Sequence, residues 1–216
     1  MTSYIEPLAQ ESTPSIIADK LRKAIGHGEL KPGTQLGEAD LARKLGVSRG
    51  PLREGMQRLT QEGLLVAIRN RGLFVVDMTA DDVQDMYLAR EAIERAAARK
   101  ILFGNEYKAA GEQLLAIVHE MAAAEGDPAA VGEIDIAFHE RLVELAGSPR
   151  LSRMHRTYIT ETRMCIHALE ETYTTSEVRV GEHQRLAEAI LNGDGLLADD
   201  LLIAHMDDAI ARLTTR

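Results

Sequence analysis

The 216-residue chain has one cysteine, no tryptophan and only three phenylalanines, and none of its apolar runs approaches the ~18 residues of a membrane span. Each shortage excludes something. A lone cysteine, Cys165, cannot close an intramolecular disulfide, so the reducing cytoplasm is the expected compartment and Cys165 reads as a packed helix residue. The opening MTSYIEPLAQEST lacks the basic start and apolar core of a signal peptide, and no membrane partner is expected. Basic residues are also in the minority, 25 Lys and Arg against 34 Asp and Glu, for a formal charge of -9. Spread evenly, that charge would argue against a nucleic-acid partner. It is not spread evenly: residues 14–76 balance at +5, whereas residues 77–216 balance at -12. Only the first segment is suited to a polyanion.

What is present divides at the same place. Residues 1–13 read as a loose tail. Ile16, Ile17, Leu21 and Ile25 recur at helical spacing until Gly26, Gly28 and KPG stop them. GEADLARKLG reads as a second short helix. A third follows in SRGPLREGMQRLTQEG, with Ser48 at the N-cap, Pro51 in the first turn and Leu52, Met56 and Leu59 inside. The period then changes: two β-prone runs, 64–68 and 73–76, flank the turn RNRG and predict a hairpin. Beyond residue 77 helical patterns cover about 80–103, 106–124, 128–146, 149–172, 176–192 and 195–213. The fold class is therefore mainly α: a winged helix-turn-helix over 14–76, then an all-α bundle of about six helices over 77–216.

In a winged helix-turn-helix the second helix of the pair enters the major groove, N-terminal residues first. Here those are Ser48, Arg49, Gly50 and Arg53, and arginine can grip guanine O6 and N7 with two hydrogen bonds. Arg69, Arg71 and Gly72 mark the hairpin tip, where a wing meets backbone or minor groove. The stretch IADKLRKAIGHGELKPGTQLGEADLARKLGVSRGPLREGMQRLTQEGLL resembles the N-terminal domain of GntR-type bacterial transcription regulators, through PG, the LGVSR-x-PLRE block and EGLL. Gly50 stands where many members carry threonine. The resemblance implies a regulator that binds double-stranded operator DNA.

The acidic segment holds an anomaly. In EIDIAFHERLVEL, at about 100° per residue, Asp135, Phe138, His139, Leu142 and Ala146 share one face, opposite Glu133, Glu140, Arg141 and Glu144. A carboxylate and an imidazole thus occupy a buried stripe, which is costly unless they are satisfied. His183 shares a face with Leu186, Ala187 and Ile190, and His205 with Ala198, Leu201, Leu202 and Ala209. Three imidazoles and a carboxylate converging in a bundle suit one divalent transition metal per chain: zinc, nickel or manganese. Residues 87–210 also resemble the sensor domain (FCD type) of the FadR branch of the same superfamily. Its metal-bearing members carry Asp-x3-His and two later histidines, which fall here on Asp135, His139, His183 and His205, although Ser148 replaces a common asparagine. Open coordination positions would accept the carboxylate of a small organic acid, as the resemblance also implies. Arg90 and Arg163 are candidates to hold a second anionic group, and His155 to line the pocket; His27, His119 and His167 look peripheral.

The reading expected from these features is a dimeric, ligand-responsive transcription regulator. Two others compete with it. A constitutive DNA-binding protein with a purely structural metal would carry the same ligands. A metal-dependent hydrolase would use them to activate water, but the chain has no HExxH and a basic wing would be pointless for it.

Overall fold

The computed structural model describes residues 12–124, 126–170 and 176–214, the side chains of 157, 166–170 and 176 excepted. Most of the expected tail, the end of the helix expected to reach 172, and the side chain of His167 lie outside the described residues. The chain divides into two compact units, Met1–Asp77 and Met78–Arg216.

In the first unit α1 spans Thr13–Gly26, α2 Glu38–Leu45 and α3 Arg49–Gln61, with strands β1 Gln35–Leu36, β2 Leu65–Ile68 and β3 Gly72–Val75. Helix α1 begins inside the segment expected to be tail, because Ser12 caps it: its hydroxyl accepts from the Ser15 amide, and Pro14 sits in the first turn. Ile17, Leu21 and Ile25 pack with Leu52, Met56 and Leu59 of α3, all at most 3% exposed. Each such burial contributes about 1.5–3 kcal/mol. Arg22 clamps the two helices by donating from Nε and Nη2 to both oxygens of Glu62, at 2.9 and 2.8 Å. Gly46 ends α2 at φ 66°, a left-handed conformation in which a side chain would be strained. The expected hairpin is one strand short of the sheet. Gln35 and Leu36 pair antiparallel with Phe74 and Leu73, giving the order β1-β3-β2. Two residues are too few to show a period, so β1 was hidden in the sequence.

Among its described residues the second unit has six helices: α4 Ala80–Leu102, α5 Tyr107–Ala123, α6 Pro128–Leu145, α7 Pro149–Glu170, α8 Ser176–Leu191 and α9 Gly195–Thr214. Thr79 and Asp82 form a reciprocal capping box at the start of α4. Gly111 lets α5 lie against α8: a Cβ there would sit 2.5 Å from Leu191 Cα. One apolar cluster joins Ile93, Leu114, Phe138, Leu142, Leu186 and Leu202; another joins Val83, Tyr87, Ile136, Ile159, Cys165 and Met206. Cys165 is 4% exposed and burial pushes its thiol up to about 12, as befits a packed residue. Among the described residues no helix is long and apolar enough to cross a membrane.

Candidate metal centre and DNA-reading face

Asp135 and His139 stand one turn apart on the buried side of α6, and His183 and His205 project from α8 and α9. Each of the four offers a ligand atom, and these atoms lie within 4.8 Å of one another. Asp135, His139 and His183 are 5, 0 and 1% exposed, and His205 is half-buried. His183 Nε2 lies 3.2 Å from Asp135 Oδ1 and also 3.2 Å from His139 Nε2. The rings pack on one another and on Phe138, whose edge meets His183 at 4.7 Å between centroids.

The other nitrogen of each ring is engaged. His139 Nδ1 donates to Glu94 Oε2 at 2.6 Å, His183 Nδ1 to the Arg179 carbonyl at 2.8 Å, and His205 Nδ1 to Glu182 Oε2 at 3.2 Å. Such partners fix a ring's tautomer and aim its second nitrogen. Burial holds His139 below its usual value despite Glu94 nearby, and drives His183 down to about 3, so both rings are neutral at pH 7. With hydrogens on Nδ1, the two Nε2 atoms face each other as lone pairs, with no proton for either to share. Burial would raise Asp135, but attraction to the His183 and His139 rings, which take up protons in the same acid range, and to Arg179 outweighs that and holds it at about 2, so it is ionised at pH 7. Two converging lone pairs beside a buried carboxylate are a poor fit to an apolar core and a good fit to a cation. The donor set passes that test.

Behind the cluster lies a charged pair that sequence reasoning saw only in half. Glu94 is fully buried and joins three groups: Arg90 Nε donates to its Oε1 at 2.7 Å, His155 Nε2 reaches the same oxygen at 3.1 Å, and His139 takes the other. Burial would raise Glu94, yet Arg90 and His139 hold it well below the carboxylate range. Arg90 is 2% exposed, and among the described residues its Nη2 is buried without a hydrogen-bond partner. Glu94 was findable. Tyr87, Arg90, Glu94, Ala97 and Ile101 form one stripe of α4, with the same charge-in-oil anomaly that marked α6. Glu182 and the Arg179 carbonyl gave no such signal. Arg163 is instead engaged on α6: its Nε lies 3.2 Å from Glu133 Oε2.

In the first unit the expected DNA-reading residues lie exposed: Ser48, Arg49, Gly50 and Arg53 at the start of α3, and Arg69, Arg71 and Gly72 at the wing tip. Ser48 occupies the N-cap but makes no capping hydrogen bond, which leaves its hydroxyl available to another partner. Arg53 Nε donates to Glu38 Oε2 at 2.7 Å, so α2 steadies its guanidinium. At the tip Asn70 adopts φ 62° and Gly72 φ 100°, and Arg71 lies over Phe74, 5.1 Å from the ring centroid.

A winged head with outward arginines, joined to a helical unit with an interior polar cluster, defines a transcription regulator. Residues 15–75 match the gntR family of bacterial regulatory proteins and residues 85–208 match the FCD domain, so the chain belongs to the GntR family with an FCD second domain. It is 28% identical over 200 residues to the HTH-type transcriptional regulator YdhC of Bacillus subtilis, covering 88% of this chain and 85% of that one. It is 31% identical over 132 residues to the Nta operon transcriptional regulator of Aminobacter aminovorans, covering 59% and 60%. The crystal structure of a GntR regulator from Rhodococcus sp. RHA1 superposes with a TM-score of 0.79 at 29% identity, covering 94% of this chain and 98% of that one. These relatives are regulators rather than enzymes, which removes the hydrolase reading.

Proposed function

We propose that this regulator binds operator DNA as a dimer through its first domain, and that its second domain mediates dimerisation and senses a small organic acid at a metal held by Asp135, His139, His183 and His205. The observation that carries the reading is the pair of facing Nε2 atoms beside an ionised, buried Asp135. When bound, a divalent zinc, nickel or manganese ion supplies a Lewis-acidic centre with positions to spare for a carboxylate. Glu94, the Arg179 carbonyl and Glu182 hold the three rings with Nε2 inward. Arg90, fixed through Nε by Glu94, keeps one buried Nη2 for an anionic oxygen. His155 borders the same carboxylate. Binding of an acid then draws on groups contributed by α4, α6, α8 and α9 at once, so it favours one packing of these helices over another. A differential affinity for two packings is what transmits to the heads. On DNA, Arg49 and Arg53 read base edges with Ser48 beside them, while Arg69, Arg71 and Gly72 of the wing follow the backbone.

Mass-spectrometric metal analysis of the full chain tests the site. About one equivalent per chain is expected, lost on chelation and in His183→Ala. A panel of mono-, di- and tricarboxylic acids titrated into labelled operator complexes should shift the wild type and leave His183→Ala unmoved, although its heads still bind. Metal retained with no response to any acid would favour the purely structural role. A metal-free protein with a full response would overturn the site.

A further inference from the structure

The short strand of the head reaches the wing with a side chain as well as with its backbone. Strand β1 pairs Gln35 with Phe74 and Leu36 with Leu73, then stops, because Gly37 is already the N-cap of α2. From Leu73 toward the tip, β3 therefore has β2 on one side and no strand on the other. The side chain of Gln35 continues where the strand ends. It starts on the face it shares with Phe74, its partner in register, and its Nε2 donates to the Arg71 carbonyl at 2.5 Å. Gly72, next on that face, has only hydrogen beside the amide; a Cβ there would lie 3.5 Å from Gln35 Nε2. Within the tip the Arg71 amide donates to the Ile68 carbonyl at 3.0 Å, with Asn70 at φ 62° and Gly72 at φ 100°. Arg71 is thus held at its amide, at its carbonyl and, through its guanidinium, over the Phe74 ring.

We propose that Gln35 is a positioning residue for DNA binding: it fixes the peptide between Arg71 and Gly72, so that the Arg71 guanidinium is placed for a phosphate before DNA arrives. The inference rests on the reading of the wing as a backbone contact. A hairpin tip with positive φ at two positions has other conformations within reach, and each one the free tip visits dilutes the one that meets DNA. A hydrogen bond from outside the hairpin selects one of them. Its net worth changes such an equilibrium by about 2- to 12-fold. Glutamine suits the task because its amide donates to a carbonyl and brings no charge of its own to the face that meets a polyanion. That neutrality also separates positioning from contact. The salt dependence of binding counts the phosphates neutralised by cationic side chains, and a glutamine neutralises none. A change of salt slope on replacing Gln35 therefore acts through a basic neighbour, and Arg71 is the one whose backbone it holds.

Gln35→Met keeps the length of the side chain and removes its N–H. Gln35 is exposed, so the circular dichroism of the full chain should be unchanged. Affinity for operator and for random duplex should fall together by about 2- to 12-fold, and the salt slope should drop by about 0.5–1. Added to Arg71→Ala, Gln35→Met should cost less than about 2-fold more, whereas added to Arg49→Ala it should cost its full factor. In the free protein, hydrogen exchange of the Arg71 amide should quicken. Wild-type affinity and slope in Gln35→Met would overturn the inference. A full additional loss on top of Arg71→Ala would overturn it too, by making Gln35 a contact in its own right. If Arg71→Ala binds both duplexes as the wild type does, the wing reading itself is removed, and this inference with it.

Discussion

The two units of this regulator deploy charge in opposite ways. In the head, Ser48, Arg49, Arg53, Arg69 and Arg71 are exposed and stand on the surface of a small apolar core. In the helical unit, Arg90, Glu94, Asp135, His139, Arg179 and His183 are each at most 5% exposed. Exposed charges act almost independently, in high dielectric, and are screened by salt. Buried ones act as a set, because each is kept polar or charged by its neighbours and removing one leaves the others unsatisfied. Mutating the head should therefore alter binding and spare stability. In the helical unit, stability and binding should be lost together.

The sharpest way to break this contrast is Glu94→Ala. It strands a buried Arg90 and releases the His139 ring, so urea unfolding of the full chain should show a loss of about 3–5 kcal/mol, against less than ~0.5 kcal/mol for Arg49→Ala. Equal losses would mean that the interior charges are not a set.

Acidification of the metal-stripped protein should come next. His139 and His183 are depressed in the fold, mainly by burial, so below the ordinary imidazole range the unfolded chain binds protons that the folded one refuses. Their contribution to stability is complete above pH ~6.5 and falls as pH drops below it, by about 1.4 kcal/mol per pH unit for each proton. Asp135 and Glu94, also depressed, add to the loss at lower pH, from about 4 downward. Denaturant midpoints measured from pH 7.5 to 4.5 should trace this decline, and His183→Phe should flatten it. A midpoint independent of pH would show that these rings are not buried neutral.

On the head, Arg49→Ala should lower operator affinity by about 1–3 kcal/mol while changing random-duplex affinity little. Arg71→Ala should weaken both duplexes alike and reduce the salt slope by about 1. Competition binding at several salt concentrations checks both, and equal loss on both duplexes for Arg49 would rule out base reading. The smallest effect belongs to Ser48→Ala. Because Ser48 makes no capping hydrogen bond, melting should move by less than the equivalent of ~0.5 kcal/mol, with operator affinity down by about 1 kcal/mol. A larger melting shift would mean that the hydroxyl caps α3 after all.

Much of this molecule could be read along the chain. The head was legible because its elements announce themselves locally: Pro14 and Pro51 in first turns, Gly46 after α2, and the turn RNRG between β-prone runs. The six later helices followed from periodicity, to within a residue or two at most ends. The candidate ligands showed themselves because a polar side chain in an apolar stripe breaks the pattern that every neighbour obeys. Glu94 broke the pattern in the same way, and only its pairing with Arg90 and His139 reveals what it does. Strand β1 and the partners of His183 and His205 left no trace.

The sequence by itself determined the elements, the division into a basic head and an acidic bundle, and the presence of misplaced polar groups, since all of these depend on residues within a few positions of one another. Only the tertiary structure decided which atoms meet. His139 and His183 are 44 positions apart, yet their Nε2 atoms face each other at 3.2 Å. Arg90 is buried rather than exposed, and Leu88 and Phe103 are left outside although both are apolar. Such distances are fixed by how whole helices pack. Helical periodicity gives the direction of a side chain from its own axis, but not which other axis lies in that direction.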